Sequence, residues 1–246
     1  MRVCLTVAYD GTNYHGWQLQ PNGITIESAL NQALSDLLGE TITVTGASRT
    51  DAGVHALGNV AVFDTNTKIP AEKISYALNQ RLPEDIVIQE SREAAPDFHP
   101  RRCSSKKTYE YRILNRRFQD PTRRRNTHFY HYALDVKRMR EAAQYLVGEH
   151  DFKSFCSVHS AAETTVRTIY SLKITKEDDV IAICISGSGF LYNMVRIIAG
   201  TLILVGNGTI DPKKIPDILD QKDRSAAGPT APACGLTMLG IEFDGE

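Results

Sequence analysis

No apolar run in this sequence approaches the roughly 20 residues that a membrane-spanning helix needs, which removes helical membrane proteins from consideration. Cys-x-x-Cys pairs are also missing. The five cysteines, Cys4, Cys103, Cys156, Cys184 and Cys234, are odd in number and far apart, so they support neither a disulfide framework nor a zinc ribbon, and reduced thiols are expected. His128 and His131 have no cysteine or carboxylate at ligand spacing, and no metal is expected there. The sequence lacks a Gly-x-x-x-x-Gly-Lys-Ser/Thr loop, a Gly-x-Gly-x-x-Gly fingerprint after a strand and a Gly-x-Ser-x-Gly elbow. Those absences disfavour NTPase, dinucleotide-dependent and serine-hydrolase chemistry. In place of a signal peptide, the N-terminus opens into the strand-like run Arg2-Val3-Cys4-Leu5-Thr6-Val7-Ala8-Tyr9, so a cytoplasmic location is expected.

What is present is a chain of 246 residues, 42% apolar and 23% charged, the composition of a globular protein long enough for two domains of ordinary size. Its net charge of −1 conceals an uneven spread. Residues 101 to 125 carry ten cations, Arg101, Arg102, Lys106, Lys107, Arg112, Arg116, Arg117, Arg123, Arg124 and Arg125, against Glu110 and Asp120 alone. That window is +8 and the rest of the chain −9, an asymmetry that fits a local nucleic-acid footprint as well as a solvated connector.

Apolar spacing predicts two halves of the same order. In the first, a strand over residues 2–9 precedes a helix from Thr25, a plausible N-cap, to Leu38, with Gly39 as its stop. Strands at Thr41-Ile42-Thr43-Val44 and Asn59-Val60-Ala61-Val62-Phe63 follow, then a helix from about Pro70 to Leu82 and a strand at Ile86-Val87-Ile88. The second half reads as a strand over 107–114, a helix capped by Asp135 and stopping at Gly148, and a hairpin of 168–175 with 180–186 across Glu177-Asp178-Asp179. A buried helix from Phe190 towards Val205, a short helix near 215–219 and a last strand over 236–243 complete it. The expected fold is therefore α+β: two ferredoxin-like or RRM-like β-α-β-β-α-β halves, residues 1–104 and 105–246, forming a largely antiparallel sheet with a central active-site cleft. The Pro/Gly-rich residues 228–235 are expected to wrap that cleft as a defined loop.

The chemistry is sought between the two inner strands of the first half, in Gly46-Ala47-Ser48-Arg49-Thr50-Asp51-Ala52-Gly53-Val54-His55-Ala56. Small residues surround one carboxylate, so a ligand can approach the backbone closely. A solvated Arg49–Asp51 pair in a hairpin turn fits the same spacing. The loop Tyr9-Asp10-Gly11-Thr12-Asn13-Tyr14-His15-Gly16-Trp17-Gln18 holds two tyrosines and the only tryptophan, suited to positioning nucleotides or to covering the edge of the core.

Arg49 to Ala56 closely resembles the active-site signature of the tRNA pseudouridine synthases of the TruA family. The loop from Tyr9, the strand Lys107-Thr108-Tyr109-Glu110-Tyr111, the run Phe190 to Arg196 and Pro232-Ala233-Cys234-Gly235-Leu236 resemble four further family motifs in family order. Ser48 stands where many members have glycine, and the long insertions of eukaryotic relatives are absent, so the zinc of some of those relatives is not carried over. The resemblance implies isomerisation of uridine to pseudouridine at positions 38, 39 and 40 of the tRNA anticodon arm, without a cofactor. It implies Asp51 as nucleophile, Arg196 as its cationic partner, Tyr109 beside the flipped uracil and Arg49 towards the gap that the extruded nucleotide leaves. A buried carboxylate stays ionised only with such a cation, while Arg196 could otherwise reach solvent along its stem, Tyr109 could be a core tyrosine and Arg49 a phosphate clamp. Arg101, Arg102, Arg123, Arg124 and Arg125 are the expected tRNA-binding residues. A homodimer is expected, because in the family the tRNA lies across two subunits. The alternative is a non-catalytic RNA-binding protein of two RRM-like halves, against which stands the absence of an RNP1 aromatic pattern.

Overall fold

The computed structural model of the chain describes residues 1–158 and 162–244. The chain folds into two compact units, Met1–Ser104 with Met238–Glu246, and Ser105–Thr237. Both are α+β, and their sheets are mostly antiparallel.

The first unit runs β1 (Arg2–Tyr9), α1 (Ile26–Leu38), β2 (Thr45–Gly46), β3 (His55–Asp64), α2 (Ala71–Leu78) and β4 (Ile86–Ala94). β1 pairs antiparallel with both β3 and β4, so it is an inner strand and buries Val3, Leu5 and Val7 completely. α1 starts where its sequence says it should: Thr25 and Ser28 form a reciprocal capping box, and Gly39 ends the helix in a left-handed conformation. Ile26, Leu30, Ala33 and Leu34 supply its buried stripe.

Four expectations for this unit change, the first being that β3 begins at His55 rather than Asn59. Thr41 to Val44 is not a strand, because the Ile42 and Val44 N–H groups donate to Ser35 Oγ (2.9 Å) and Asn31 Oδ1 (2.8 Å) of α1 instead of to a ladder. Only Thr45 and Gly46 pair with β3, opposite Val62 and Ala61. α2 stops at Leu78 rather than Leu82. Just past it, the Asn79 amide bonds both backbone groups of Ile88 (2.9 and 2.7 Å), turning the chain into β4. β4 in turn runs to Ala94, well beyond the expected Ile88.

The second unit contains β5 (Ser105–Asn115), β6 (His128–Tyr130), α3 (Val136–Gln144), β7 (Gly148–Asp151), β8 (Val166–Glu177), β9 (Val180–Gly187), α4 (Met194–Gly206) and α5 (Ile215–Gln221). Its strand order is β5-β9-β8-β7, with β6 parallel to β5; β6 and β7 are additions to the expected order. β8 and β9 form the expected hairpin, closed by Glu177 opposite Val180 with Asp178 in the left-handed region. α4 is almost wholly buried. It begins at Met194 rather than Phe190, because Asn193 precedes it with φ 61°. Residues 228–231 lie along this helix: a Cβ on Gly200 would strike the Pro229 carbonyl, and the Gly228 N–H donates to Thr201 Oγ1 (2.9 Å).

The closing strand β10 (Leu236–Phe243) lies beside β3. Its Phe243 joins Cys4, Val60, Val62 and Ala94 in one apolar cluster and meets the Phe98 ring edge-on at 5.2 Å. This packing explains why residues 238–246, assigned to the second half on sequence, group with the first unit.

Candidate active site

Asp51 sits on the loop between β2 and β3. Burial alternates along it: Ser48 and Thr50 point inward, Arg49 is exposed and Asp51 is half-buried. The inward residues are tied down on several sides. The Ala47 N–H donates to the Val60 carbonyl (2.7 Å), the Asn59 amide to the Ser48 carbonyl (3.0 Å) and the Trp17 N–H to the Thr50 carbonyl (3.0 Å). Tyr9 Oη shares a hydrogen bond with Thr50 Oγ1 (2.8 Å), and the Val54 N–H closes a turn on the Asp51 carbonyl (3.1 Å). A carboxylate on such a frame is positioned before any substrate arrives.

The aromatic loop after β1 serves this frame. Trp17 is fully buried, with its ring where a side chain on Gly46 would be, and Tyr14 is also buried, its hydroxyl on Asp85 Oδ1 (2.5 Å). Burial and the Asp85 charge push the Tyr14 phenol well above its ordinary range, so it stays neutral. Gly16 has φ 84°, and a Cβ there would lie 2.5 Å from the Thr50 carbonyl oxygen. Glycine is therefore required where the two loops meet. The Gly11 N–H adds a further link by donating to His55 Nδ1 (3.1 Å).

Arg101 Nε donates to the Gly46 carbonyl (2.7 Å), a link that the sequence alone did not suggest. Arg101 is exposed as a whole, but partial desolvation of its guanidinium and the nearby Arg49 charge draw its pKa below the usual arginine value, so two guanidinium groups stand near the start of the loop. Arg102 is exposed. The basic window is thus divided: Arg101 and Arg102 belong to the first unit, and the cations from Lys106 onward to the second.

In the second unit, Tyr109 on β5 is buried and meets the Phe190 ring edge-on at 5.2 Å. Tyr111, on the same face, donates its hydroxyl to the Pro232 carbonyl (2.9 Å), and burial raises its pKa far above normal. Arg196 lies in the first turn of α4. Its Nε donates to the Ala231 carbonyl (2.8 Å) and an Nη to Asn193 Oδ1 (2.8 Å), while its own carbonyl accepts the Ala231 N–H (3.1 Å). Residues 228–231, expected to wrap a cleft, therefore aim this guanidinium as well as cover the helix.

The three consecutive arginines differ from one another. Arg123 donates to Asp179 Oδ1 (2.8 Å) and lies 3.6 Å from Asp120, so its charge is partly spent within the protein. Arg124 and Arg125 are exposed. Asp120 organises the turn by accepting from the Thr122 N–H and hydroxyl, which with Arg123 hold its carboxyl below the usual range.

A family model for tRNA pseudouridine synthase matches residues 5–101 and 142–244, most of the chain. The chain belongs to the tRNA pseudouridine synthase family. Similar proteins named tRNA pseudouridine synthase A include those of Thermoanaerobacter sp. strain X514 (51% identical over 241 residues) and Acetivibrio thermocellus (48% over 241 residues), each alignment covering 98% of this chain and 99% of the relative. The Brevibacillus brevis protein of the same name is 47% identical over 242 residues at the same coverage. Within the family match, Arg49, Asp51 and Arg101 fall in the first segment and Arg196 in the second; Arg102, Tyr109 and Arg123 to Arg125 fall in the stretch between them.

Proposed function

We propose that this protein isomerises uridine to pseudouridine in the anticodon arm of tRNA, at positions 38, 39 and 40, with Asp51 as the nucleophile. The observation that carries the reading is the Asp51 loop: an acid among small residues, its backbone and the Thr50 hydroxyl fixed by buried partners, in a chain aligned over 98% of its length with proteins named as synthases. In the reaction the N1–C1′ bond breaks, the base turns, C5–C1′ forms, the C5 proton leaves and N1 is protonated. Nothing is oxidised and no water is consumed. An ionised oxygen nucleophile suffices, and the roles of the remaining residues follow. Arg196 serves as the cation that keeps Asp51 charged, and its guanidinium is pre-aimed by Ala231 and Asn193. Tyr109 lies beside the uracil, and Arg49 stands in the place of the extruded nucleotide. Arg101, Arg102 and Arg123 to Arg125 bind the tRNA backbone. The protein works as a cytoplasmic homodimer.

The non-catalytic reading loses support because the relatives across the full chain are named as enzymes. Mapping pseudouridine in tRNA from cells with and without the protein tests the proposal. Loss of pseudouridine confined to positions 38 to 40 is expected; an unchanged map would contradict it. Light scattering at micromolar protein should show twice the 27.3 kDa chain mass.

A further inference from the structure

Asn59 is fully buried in β3, inside a run of Val60, Ala61, Val62 and Phe63 that is otherwise apolar. A primary amide in such a place costs stability unless its donors and acceptor are used. Its Oδ1 accepts the Val60 N–H (3.0 Å). Its Nδ2 reaches across to the Ser48 carbonyl (3.0 Å) and, more weakly, to Tyr9 Oη (3.4 Å). Tyr9 is itself buried, and its hydroxyl meets Thr50 Oγ1 at 2.8 Å. One amide and one phenol on adjacent strands thus hold the two inward residues, Ser48 and Thr50, that precede Asp51. β1 and β3 pair here, with Val7 opposite Asn59 and Tyr9 opposite Ala56. The two anchors therefore stand on paired strands at the centre of the unit.

We infer that Asn59 and Tyr9 are positioning residues for the reaction: through Ser48 and Thr50 they set where the Asp51 carboxylate stands, without touching the substrate. The inference rests on the reading of Asp51 as nucleophile. Position 59 shares a face of the sheet with Ala61 and Phe63, opposite the fully buried Val7 of β1, where an apolar side chain would be at home, so core stability alone does not call for the amide. Fixing a loop just upstream of the reacting oxygen does, because a misplacement of about 1 Å can cost on the order of 100-fold in rate.

Asn59→Leu and Tyr9→Phe test this, each keeping the side chain close to its original size while removing the hydrogen bonds to the loop. Ser91→Ala is the control: Ser91 accepts the Ser75 N–H (2.8 Å) in a buried pair between α2 and β4, away from the Asp51 loop. The readout is single-turnover tritium release from tRNA labelled at uracil C5, at saturating protein and well below each variant's melting temperature, alongside tRNA affinity. At least an approximately tenfold fall in rate is expected for Asn59→Leu and Tyr9→Phe, with Kd within about twofold of wild type and Ser91→Ala near the wild-type rate. Wild-type rates in both variants, or a fall no larger than that of Ser91→Ala, would overturn the inference. Should Asn59→Leu not fold, Tyr9→Phe decides alone. Absence of release from the wild-type protein would instead refute the Asp51 reading itself.

Discussion

The loop carrying Asp51 and the segment from Arg116 to Arg125 hold most of the residues on which the functional reading rests, and they are built in opposite ways. The first is short and made mostly of small residues, with its backbone held by Val60, Asn59 and Trp17 and its Thr50 hydroxyl by Tyr9. The second is an exposed turn stapled by acids: Asp120 caps it, and Asp179 takes both Arg116 (3.2 Å) and Arg123 (2.8 Å). Precision belongs to the first and charge to the second. A nucleophile gains from a fixed position, whereas phosphate binding acts through a field that tolerates small displacements and carries no sequence information.

The contrast can be broken most forcefully at Gly16. Alanine there would meet the Thr50 carbonyl at 2.5 Å with φ at 84°, so a loss of about 3 kcal/mol and a melting temperature lower by roughly 5–10 °C are expected. Calorimetry of Gly16→Ala checks this, and an unchanged melting point would mean that the two loops are not rigidly joined.

In the basic segment the expected effects are smaller and depend on salt. Replacing Arg124 and Arg125 by alanine should weaken tRNA binding and reduce the slope of log Kd against log salt by up to about 1.8, that is, roughly 0.9 for each phosphate no longer neutralised. Adding Arg123→Ala should change the slope little further, since that guanidinium already serves Asp179 and Asp120. A slope that falls equally for all three would show that the Asp179 pairing gives way to RNA.

The smallest effect is at Asp120, whose carboxyl the Thr122 hydroxyl and N–H hold below its ordinary pKa. A depressed carboxylate contributes stability above its unfolded pKa of about 3.9 and loses it as pH falls through the lower folded value. The melting-temperature difference between wild type and Asp120→Asn should therefore be slight at about pH 7, where asparagine can still cap the turn, and vanish in stronger acid. A difference that grows on acidification, followed by calorimetry, would contradict this.

How much of the molecule was legible in the sequence depended on where each signal lived. α1 was readable at both ends because Thr25 and Gly39 are local signals whose geometry the structure reproduces. The strand expected at Thr41 to Val44 failed because β-branched residues report only a tendency, and two side chains of α1 compete for its N–H groups. The Asp51 motif stood out as residues, but its anchors did not. Asn59 was hidden in an apolar run, where a lone amide is the one available clue, and the grip of Arg101 on Gly46 spans 55 residues with no local trace. The division of the basic window between two units was likewise invisible, because proximity in sequence says nothing of which unit a residue joins.

The central claim is that Asp51 forms the bond on which the isomerisation depends. Tritium release from tRNA labelled at uracil C5, under single-turnover conditions, measures it most directly in wild type, Asp51→Asn and Asp51→Ala. Asparagine keeps the shape and reach of the side chain but removes the anionic oxygen. Release by the wild-type protein and none by either variant, at comparable tRNA affinity, is the expected result; wild-type release from Asp51→Ala would contradict the claim.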